Sequence, residues 1–238
     1  MGRVPESLPL SLIRVLHIPL DESGAGWELY FEQLTSEERD RASRFRFDAD
    51  RLRFAKCRAI LRRTLGEMLG VPPRDVVLRF GEHGKPHLAE GHDIEFNVSH
   101  TRGAGLIAIH RGDALGIDVE HAKRMSDLDG VARRVFTARE QDQLFAMGEA
   151  ARRTQFFRLW TAKEAFLKAI GSGLSLAPSC VEAFLPERDG RPGYFECPQV
   201  KNAGSLSCVE IALPGSTNLA ATLCAPRESS QFEVAITS

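Results

Sequence analysis

The chain lacks most of the short motifs by which enzyme classes are recognised. Its five cysteines (Cys57, Cys180, Cys197, Cys208, Cys224) include no Cys-x-x-Cys pair and no zinc-ligand spacing. That excludes a zinc-knit scaffold, and the odd count suits a reducing compartment better than a disulfide framework. No glycine-rich loop ends in Gly-Lys-Ser/Thr, and Gly103-Ala104-Gly105 lacks the third glycine of a dinucleotide-binding turn. His-Glu-x-x-His and Gly-x-Ser-x-Gly are also missing, so serine- or cysteine-nucleophile chemistry has no support. No run of apolar residues approaches the length of a membrane span. Pro5, Pro9 and Arg14 interrupt the apolar pieces near the N-terminus, so no signal peptide is expected and the expected location is the cytoplasm. A net charge of −1 argues against a general nucleic-acid binder. No short repeat and no low-complexity tract is found.

What remains is the composition of an ordinary globular protein, 43% hydrophobic and 26% charged over 238 residues. Such a length allows one large domain or two small ones and buries roughly 70–75% of the unfolded surface. The segment from Arg39 to Arg63 is dense in arginine, which means an anionic ligand or a solvated helix face. Thr35-Ser36-Glu37-Glu38 and Thr137-Ala138-Arg139-Glu140 both have the Thr-x-x-Glu pattern of a helix start. Helices are expected over Ala49 to Leu69, ended by Gly70 and Pro72-Pro73, and over Ala150 to Ile170, ended by Gly171. Strands are expected at Ile13 to Ile18, Val76 to Phe80, Ile94 to His100, Leu106 to Ile109 and around Asp118, with more strands after Val181. Helix, strands, helix, strands in that order predicts an α+β fold in two layers with two similar halves.

One constellation carries chemistry. In Leu115-Gly116-Ile117-Asp118-Val119-Glu120 the apolar residues recur at period two, so Asp118 and Glu120 share the opposite face of a strand. Trp160, Glu164 and Lys168 recur along one stripe of the long helix, with Lys163 beside Glu164. A helix laid on that strand would complete an all-oxygen cation site flanked by ammonium groups, which suits Mg²⁺ bridging phosphates. Alone, each piece reads as solvated surface, since an i, i+4 Glu–Lys pair contributes only about 0.2–0.5 kcal/mol. Their coincidence with Asn97-Val98-Ser99-His100-Thr101 changes that reading, because hydroxyl and imidazole groups at a strand end can donate to phosphate oxygens. His100 taken alone equally suits a packed or capping role, and Gly84-Lys85-Pro86 alone is a turn with a solvated lysine.

Gly84-Lys85-Pro86, Phe96-Asn97-Val98-Ser99-His100, Gly116-Ile117-Asp118-Val119-Glu120, Phe136-Thr137-x-x-Glu140, Trp160-x-x-Lys163-Glu164-Ala165-Phe166-x-Lys168 and Gly171-x-Gly173-Leu174-Ser175 occur in chain order. The ordered set resembles the larger, Sfp-type 4′-phosphopantetheinyl transferases over most of the chain. The resemblance implies two pseudo-twofold subdomains, 1–112 and 113–238, with coenzyme A and Mg²⁺ in the cleft between them. It implies transfer of the 4′-phosphopantetheine arm onto a serine of an apo acyl or peptidyl carrier protein, releasing 3′,5′-adenosine bisphosphate. It assigns Asp118, Glu120 and Glu164 to the metal, Lys163 and Lys168 to the pyrophosphate, and Ser99 and His100 to nucleotide and phosphate. Lys85 and Pro86 fall in the adenine-side loop, and Arg41 and Arg53 in the region of the 3′-phosphate. Relatives carry a lysine where this chain has Glu38. For the serine proton Glu164 is the first choice, with Glu120 and Glu140 as rivals. Phe136, Leu144 and Phe145 are candidates for carrier docking, a core role being equally open to them. No partner subunit, nucleic acid or membrane is implied, and a monomer is expected. Two other classes use the same groups: another Mg²⁺-dependent phosphoryl or nucleotidyl transferase, and a non-catalytic coenzyme A-binding module.

Overall fold

The computed structural model describes residues 12–20, 26–89, 91–112, 114–123, 125–186, 191–215, 218–228 and 231–237. Pro5 and Pro9 lie outside them. Four strands form one sheet: β1 (Leu12–Pro19), β4 (Ile94–Thr101), β5 (Ala104–Arg111) and β11 (Gln231–Ile236), in the order β11-β1-β5-β4. Five form a second: β6 (Gly116–His121), β7 (Glu182–Phe184), β8 (Gly193–Glu196), β9 (Leu206–Glu210) and β10 (Leu219–Pro226), in the order β6-β10-β9-β8-β7. A small hairpin pairs β2 (Leu78–Phe80) with β3 (Pro86–Leu88).

Strand alternation decides what lies between the layers. Ile13 and Val15 on β1, Leu106 and Ala108 on β5, Ile117 and Val119 on β6 and Leu223 on β10 form one core between the two sheets. The opposite faces meet helices. Phe96, Ile107 and Ile109 pack on α2 (Asp48–Leu69) through Ile60, Leu61 and Leu65. Cys208, Cys224 and Phe195 pack under α5 (Glu149–Ile170) through Ala162, Ala165 and Phe166, with α3 (Leu128–Val135) and α4 (Ala138–Phe145) alongside. Burying each large side chain contributes about 1.5–3 kcal/mol. The long helices end on left-handed glycines, Gly70 and Gly171, where a residue without Cβ meets no steric cost.

Each half thus sets one sheet against one 22-residue helix preceded by a short capped one, since α1 (Ser36–Ser43) and α4 both begin with a complete capping box. The expected α+β class holds. The first sheet draws on both sides of 112/113, because β11 returns from the C-terminal end to lie parallel to β1, with Arg14 Nε 2.9 Å from Glu233 Oε1 across the pair. The expected strand at Val76 shortens to Leu78–Phe80, as Val76 follows a single 3₁₀ turn (Pro73–Asp75) and is buried.

Where the two sheets meet, β4 and β6 run in the same direction without a backbone ladder. Asn97 Oδ1 accepts the Ile117 N–H at 2.9 Å, Ser99 Oγ accepts that of Val119 at 3.3 Å, and Thr101 Oγ1 that of His121 at 3.3 Å. Alternate β4 side chains therefore stand in for a neighbouring strand's carbonyls. On the face of β6 away from the core, α5 approaches so closely that a methyl on Gly116 would lie 1.9 Å from the Ala165 carbonyl oxygen and 2.6 Å from the Ala169 nitrogen. Gly116→Ala is expected to push α5 off the strand and to destabilise the fold by more than the usual overpacking cost of about 1–3 kcal/mol. Urea unfolding measures it, and a variant as stable as the parent would contradict this packing.

Candidate functional site

The seam between β4 and β6 and the C-terminal half of α5 bring the predicted acidic and basic groups together. Period two turns Ile117 and Val119 into the inter-sheet core and leaves Asp118 and Glu120 facing the helix. Asp118 is buried, and its Oδ1 accepts from Ser99 Oγ at 2.8 Å and from Lys168 Nζ at 2.6 Å. The same ammonium donates to Ser99 Oγ at 3.0 Å and to the Ile117 carbonyl at 3.2 Å, so Lys168 ties α5 to both strands. Asp118 Oδ2 is buried with no hydrogen-bond partner.

Two further carboxylates stand near that charge. Burial raises the Glu120 carboxyl above its ordinary range and the Asp118 charge raises it further, against a hydrogen bond from Trp160 and the attraction of Lys168. Glu164 is raised for the same reasons in the same order, burial and then Asp118, with Lys168 opposing. The Trp160 contact was not read as a contact from the sequence, although its place on the Glu164–Lys168 stripe pointed to it. Thr101 Oγ1 lies 3.5 Å from Glu120 Oε2 at the end of the same seam.

The three carboxylates do not converge on one ligating point: no three His, Cys, Asp or Glu side chains among the described residues form a metal-binding group. The cause is visible in the contacts, since Asp118 Oδ1 is taken by Lys168 and Ser99 and Glu120 by Trp160. The donor set nonetheless fits a hard divalent cation. It is all oxygen, one buried lobe is unpartnered, and two neighbouring carboxyls resist ionisation because they are partly buried beside the Asp118 charge.

Other expected contacts fall differently. Lys163, adjacent to Glu164 in sequence, points to the other side of α5, where it is 1% exposed and its Nζ lies 2.5 Å from Glu140 Oε2. It also donates to the carbonyls of Pro178 at 3.0 Å and Val135 at 3.3 Å. Burial draws its ammonium below the ordinary lysine value, with Glu140 opposing. Lys163 is therefore not a pyrophosphate contact. Glu140 is no rival base either, being buried, bonded to the Thr137 N–H at 2.8 Å and to the Ala183 N–H at 2.9 Å. Phe136 and Leu144 are core residues, and Phe145 lies between Arg133 and Arg152 with guanidinium-to-ring distances of 4.7 and 5.6 Å, so these three do not form a docking surface.

On the first half, His100 is exposed beside Ser99. Displaced water lowers its imidazole below the ordinary value first, and the Lys168 and Arg53 charges lower it further. Arg53 pairs with Asp50, and Arg41 stacks on Phe54 at 5.1 Å. A cleft of about 50 Å³ beside them is lined by Phe54, Cys57, Arg58, Leu61, Val98 and His100. Arg58 was not singled out from the sequence, being one arginine among many. Glu38 is buried, with Oε2 2.6 Å from Arg62 Nε and Oε1 3.5 Å from Arg58 Nε, so it pairs with arginines, one of them lining the cleft, and is no cationic phosphate contact. Lys85 donates to Glu95 at 2.7 Å and to the Leu115 carbonyl at 3.1 Å, fastening the hairpin that carries Pro86 to β4 and to the start of β6. The Gly81–Lys85 turn also packs on the segment after α5, where a Cβ on Gly173 would come within 2.6 Å of His83 Cβ.

A raised carboxyl binds its proton more readily folded than unfolded. The folded chain therefore loses stability as pH rises from the ordinary 4.5 through the raised value, and the loss persists above it. Glu164→Gln removes that penalty. In cation-free buffer at pH 8 it is expected to raise Tm over the parent, with the gap closing at pH 4. A variant that melts lower at both pH values would contradict the charge imbalance.

Residues 114–224 match the 4′-phosphopantetheinyl transferase superfamily, and residues 21–110 match the N-terminal region of 4′-phosphopantetheinyl transferases. The chain is 37% identical over 207 residues to the 4′-phosphopantetheinyl transferase HetI of Nostoc, covering 84% of this chain and 87% of that one. It is 33% identical over 177 residues to 4′-phosphopantetheinyl transferase psf-1 of Bacillus pumilus, covering 73% of each. With 4′-phosphopantetheinyl transferase Sfp of Bacillus subtilis it shares 30% identity over 149 residues, 63% of this chain and 65% of that one. The two matched regions lie on the two sides of the seam that joins Ser99, Asp118 and Lys168, and the chain belongs to the 4′-phosphopantetheinyl transferases, enzymes that carry the phosphopantetheine arm of coenzyme A to a carrier protein.

Proposed function

We propose that the seam between β4, β6 and α5 binds the pyrophosphate of coenzyme A together with a divalent cation, and that transfer to a carrier serine takes place there. The observation that carries this reading is the buried, unpartnered Asp118 Oδ2 beside two carboxyls whose proton affinity is raised by burial and by the Asp118 charge. Asp118, Glu120 and Glu164 would hold the cation, with Mg²⁺ the natural choice for oxygen donors next to phosphates. When bound, Mg²⁺ supplies charge stabilisation for the phosphoryl oxygens and the departing bisphosphate.

The residues of the chain supply the rest. Lys168 stands at the acidic cluster and Ser99 presents a hydroxyl beside it, so both can reach a phosphate oxygen that enters the seam. His100 and Arg53 lie next along β4 and α2, in place for the nucleotide side of coenzyme A, with Arg41 and the cleft at Arg58 beyond. In the chemical step the carrier serine Oγ bonds to the β-phosphorus, the bond from that phosphorus to the bridging oxygen breaks, and 3′,5′-adenosine bisphosphate leaves. The serine proton goes to Glu164, directly or through a water. Trp160 holds Glu120 in place from the same helix stripe.

Incubation with coenzyme A, Mg²⁺ and an apo carrier protein is expected to add the mass of one phosphopantetheine arm to the carrier. Asp118→Ala and Glu164→Ala should abolish the gain while far-ultraviolet circular dichroism stays that of the parent; full transfer by either variant would refute the site. Lys168→Ala should weaken coenzyme A binding by about ten- to a hundredfold, the loss of one charge-assisted contact of about 1.5–3 kcal/mol. Calorimetry that finds an unchanged Kd would remove Lys168 from the pyrophosphate.

A further inference from the structure

The two halves share a buried device. In the first, Glu38 Oε2 accepts the Thr35 N–H at 3.1 Å and pairs with Arg62 Nε at 2.6 Å. In the second, Glu140 Oε2 accepts the Thr137 N–H at 2.8 Å and pairs with Lys163 Nζ at 2.5 Å. Arg62 and Lys163 stand the same number of residues from the start of their 22-residue helices, and both are almost wholly buried. Each cation also reaches the segment that follows its own helix: Arg62 Nη1 donates to the carbonyls of Pro73 at 3.0 Å and Val76 at 2.9 Å, and Lys163 Nζ to that of Pro178 at 3.0 Å. A short capped helix, a long helix and the chain after it are thus knotted at one charge.

Beyond the knot the halves diverge. One and five residues after Lys163 come Glu164 and Lys168, whereas the same steps from Arg62 reach Arg63 and Glu67. Buried ion pairs add little net stability over apolar packing, since desolvation offsets their attraction, but losing one partner leaves an uncompensated charge. What such a pair does fix is geometry. Successive residues on a helix are about 100° apart, so an α5 rotated to free Lys163 would swing Glu164 and Lys168 away from Asp118 by the same angle.

We propose that Lys163 is a positioning residue for the transfer: its bond to Glu140 sets the rotation of α5 and so aims Glu164 and Lys168 at Asp118, without contact to coenzyme A. The inference rests on the site reading given under Proposed function. It explains why a lysine next to Glu164 in sequence faces the opposite side of the helix; the equivalent cation of the first half fixes its own helix with no acidic cluster to aim.

Steady-state kinetics of the full chain with coenzyme A and an apo carrier separate the roles. Lys163→Met is expected to lower kcat about 10- to 100-fold, the usual consequence of a misplacement near 1 Å, and to raise KM for coenzyme A with it, because Lys168 turns together with Glu164. Lys163→Arg, which installs the cation used in the other half, should recover most of the rate. Arg62→Met should lose stability as Lys163→Met does, yet keep kcat per folded molecule. Where Lys163→Met does not fold, Glu140→Gln keeps an acceptor for the Thr137 N–H, removes the charge, and should show the same fall in kcat. The proposal is overturned if Lys163→Met raises KM for coenzyme A tenfold at normal kcat, if Arg62→Met slows the reaction equally, or if Lys163→Arg recovers nothing. Wild-type kcat in both Lys163→Met and Glu140→Gln, with Glu164→Ala inactive, would discard this inference alone. A fully active Glu164→Ala would discard it together with the site reading.

Discussion

Strand β6 has one ladder neighbour, β10, and the N–H groups along its other edge must find acceptors elsewhere in the interior. Asn97, Ser99 and Thr101 provide them, one side chain per pleat, to Ile117, Val119 and His121. A buried donor left unsatisfied costs about 1–3 kcal/mol, so the three contacts together hold the two sheets in one register. Everything at the site follows from that register. It places Ser99 on Asp118, leaves the Ile117 carbonyl open to Lys168, and brings the edge of the first sheet to the face of the second that α5 covers.

The second constraint is an unbalanced charge. Among the described residues three carboxylates share the seam with the ammonium of Lys168, and burial together with the Asp118 charge raises the proton affinity of Glu120 and Glu164, while Asp118 keeps a buried oxygen with no partner. A site built for folding alone would replace these groups with apolar ones. On the proposed reading the imbalance is met by cationic charge brought by a ligand, and the close approach of α5 over Gly116 keeps the acids together.

Much of this was legible in the sequence, and the limits have physical reasons. The period-two pattern of Leu115 to Glu120 marks β6 and its acidic face, and the Trp160, Glu164, Lys168 stripe marks the face of α5 that meets it. Both capping boxes are readable because their hydrogen bonds are local. Lys163 misleads because adjacency in sequence places two residues on different helix faces, and a buried lysine looks like any other until Glu140 is seen beneath it. The partnership of β11 with β1 joins opposite ends of the chain and leaves no local trace. Phe136 and Leu144 are apolar residues flanking a capped helix, and only packing tells a core position from a docking one. The β4–β6 contact is written in Asn97, Ser99 and Thr101, but as polar residues on alternate positions they read as a ligand-facing row rather than as acceptors for a neighbouring strand.

The most direct test of the seam is amide hydrogen exchange at Ile117 in an Asn97→Ala variant. Removing that acceptor is expected to speed exchange of the Ile117 amide by at least about fivefold, from the loss of about 1–3 kcal/mol, while the β10 amides opposite β6 stay protected and carrier modification slows. An Ile117 amide as protected as in the parent, with an unchanged rate of transfer, would contradict the role given to the side-chain ladder.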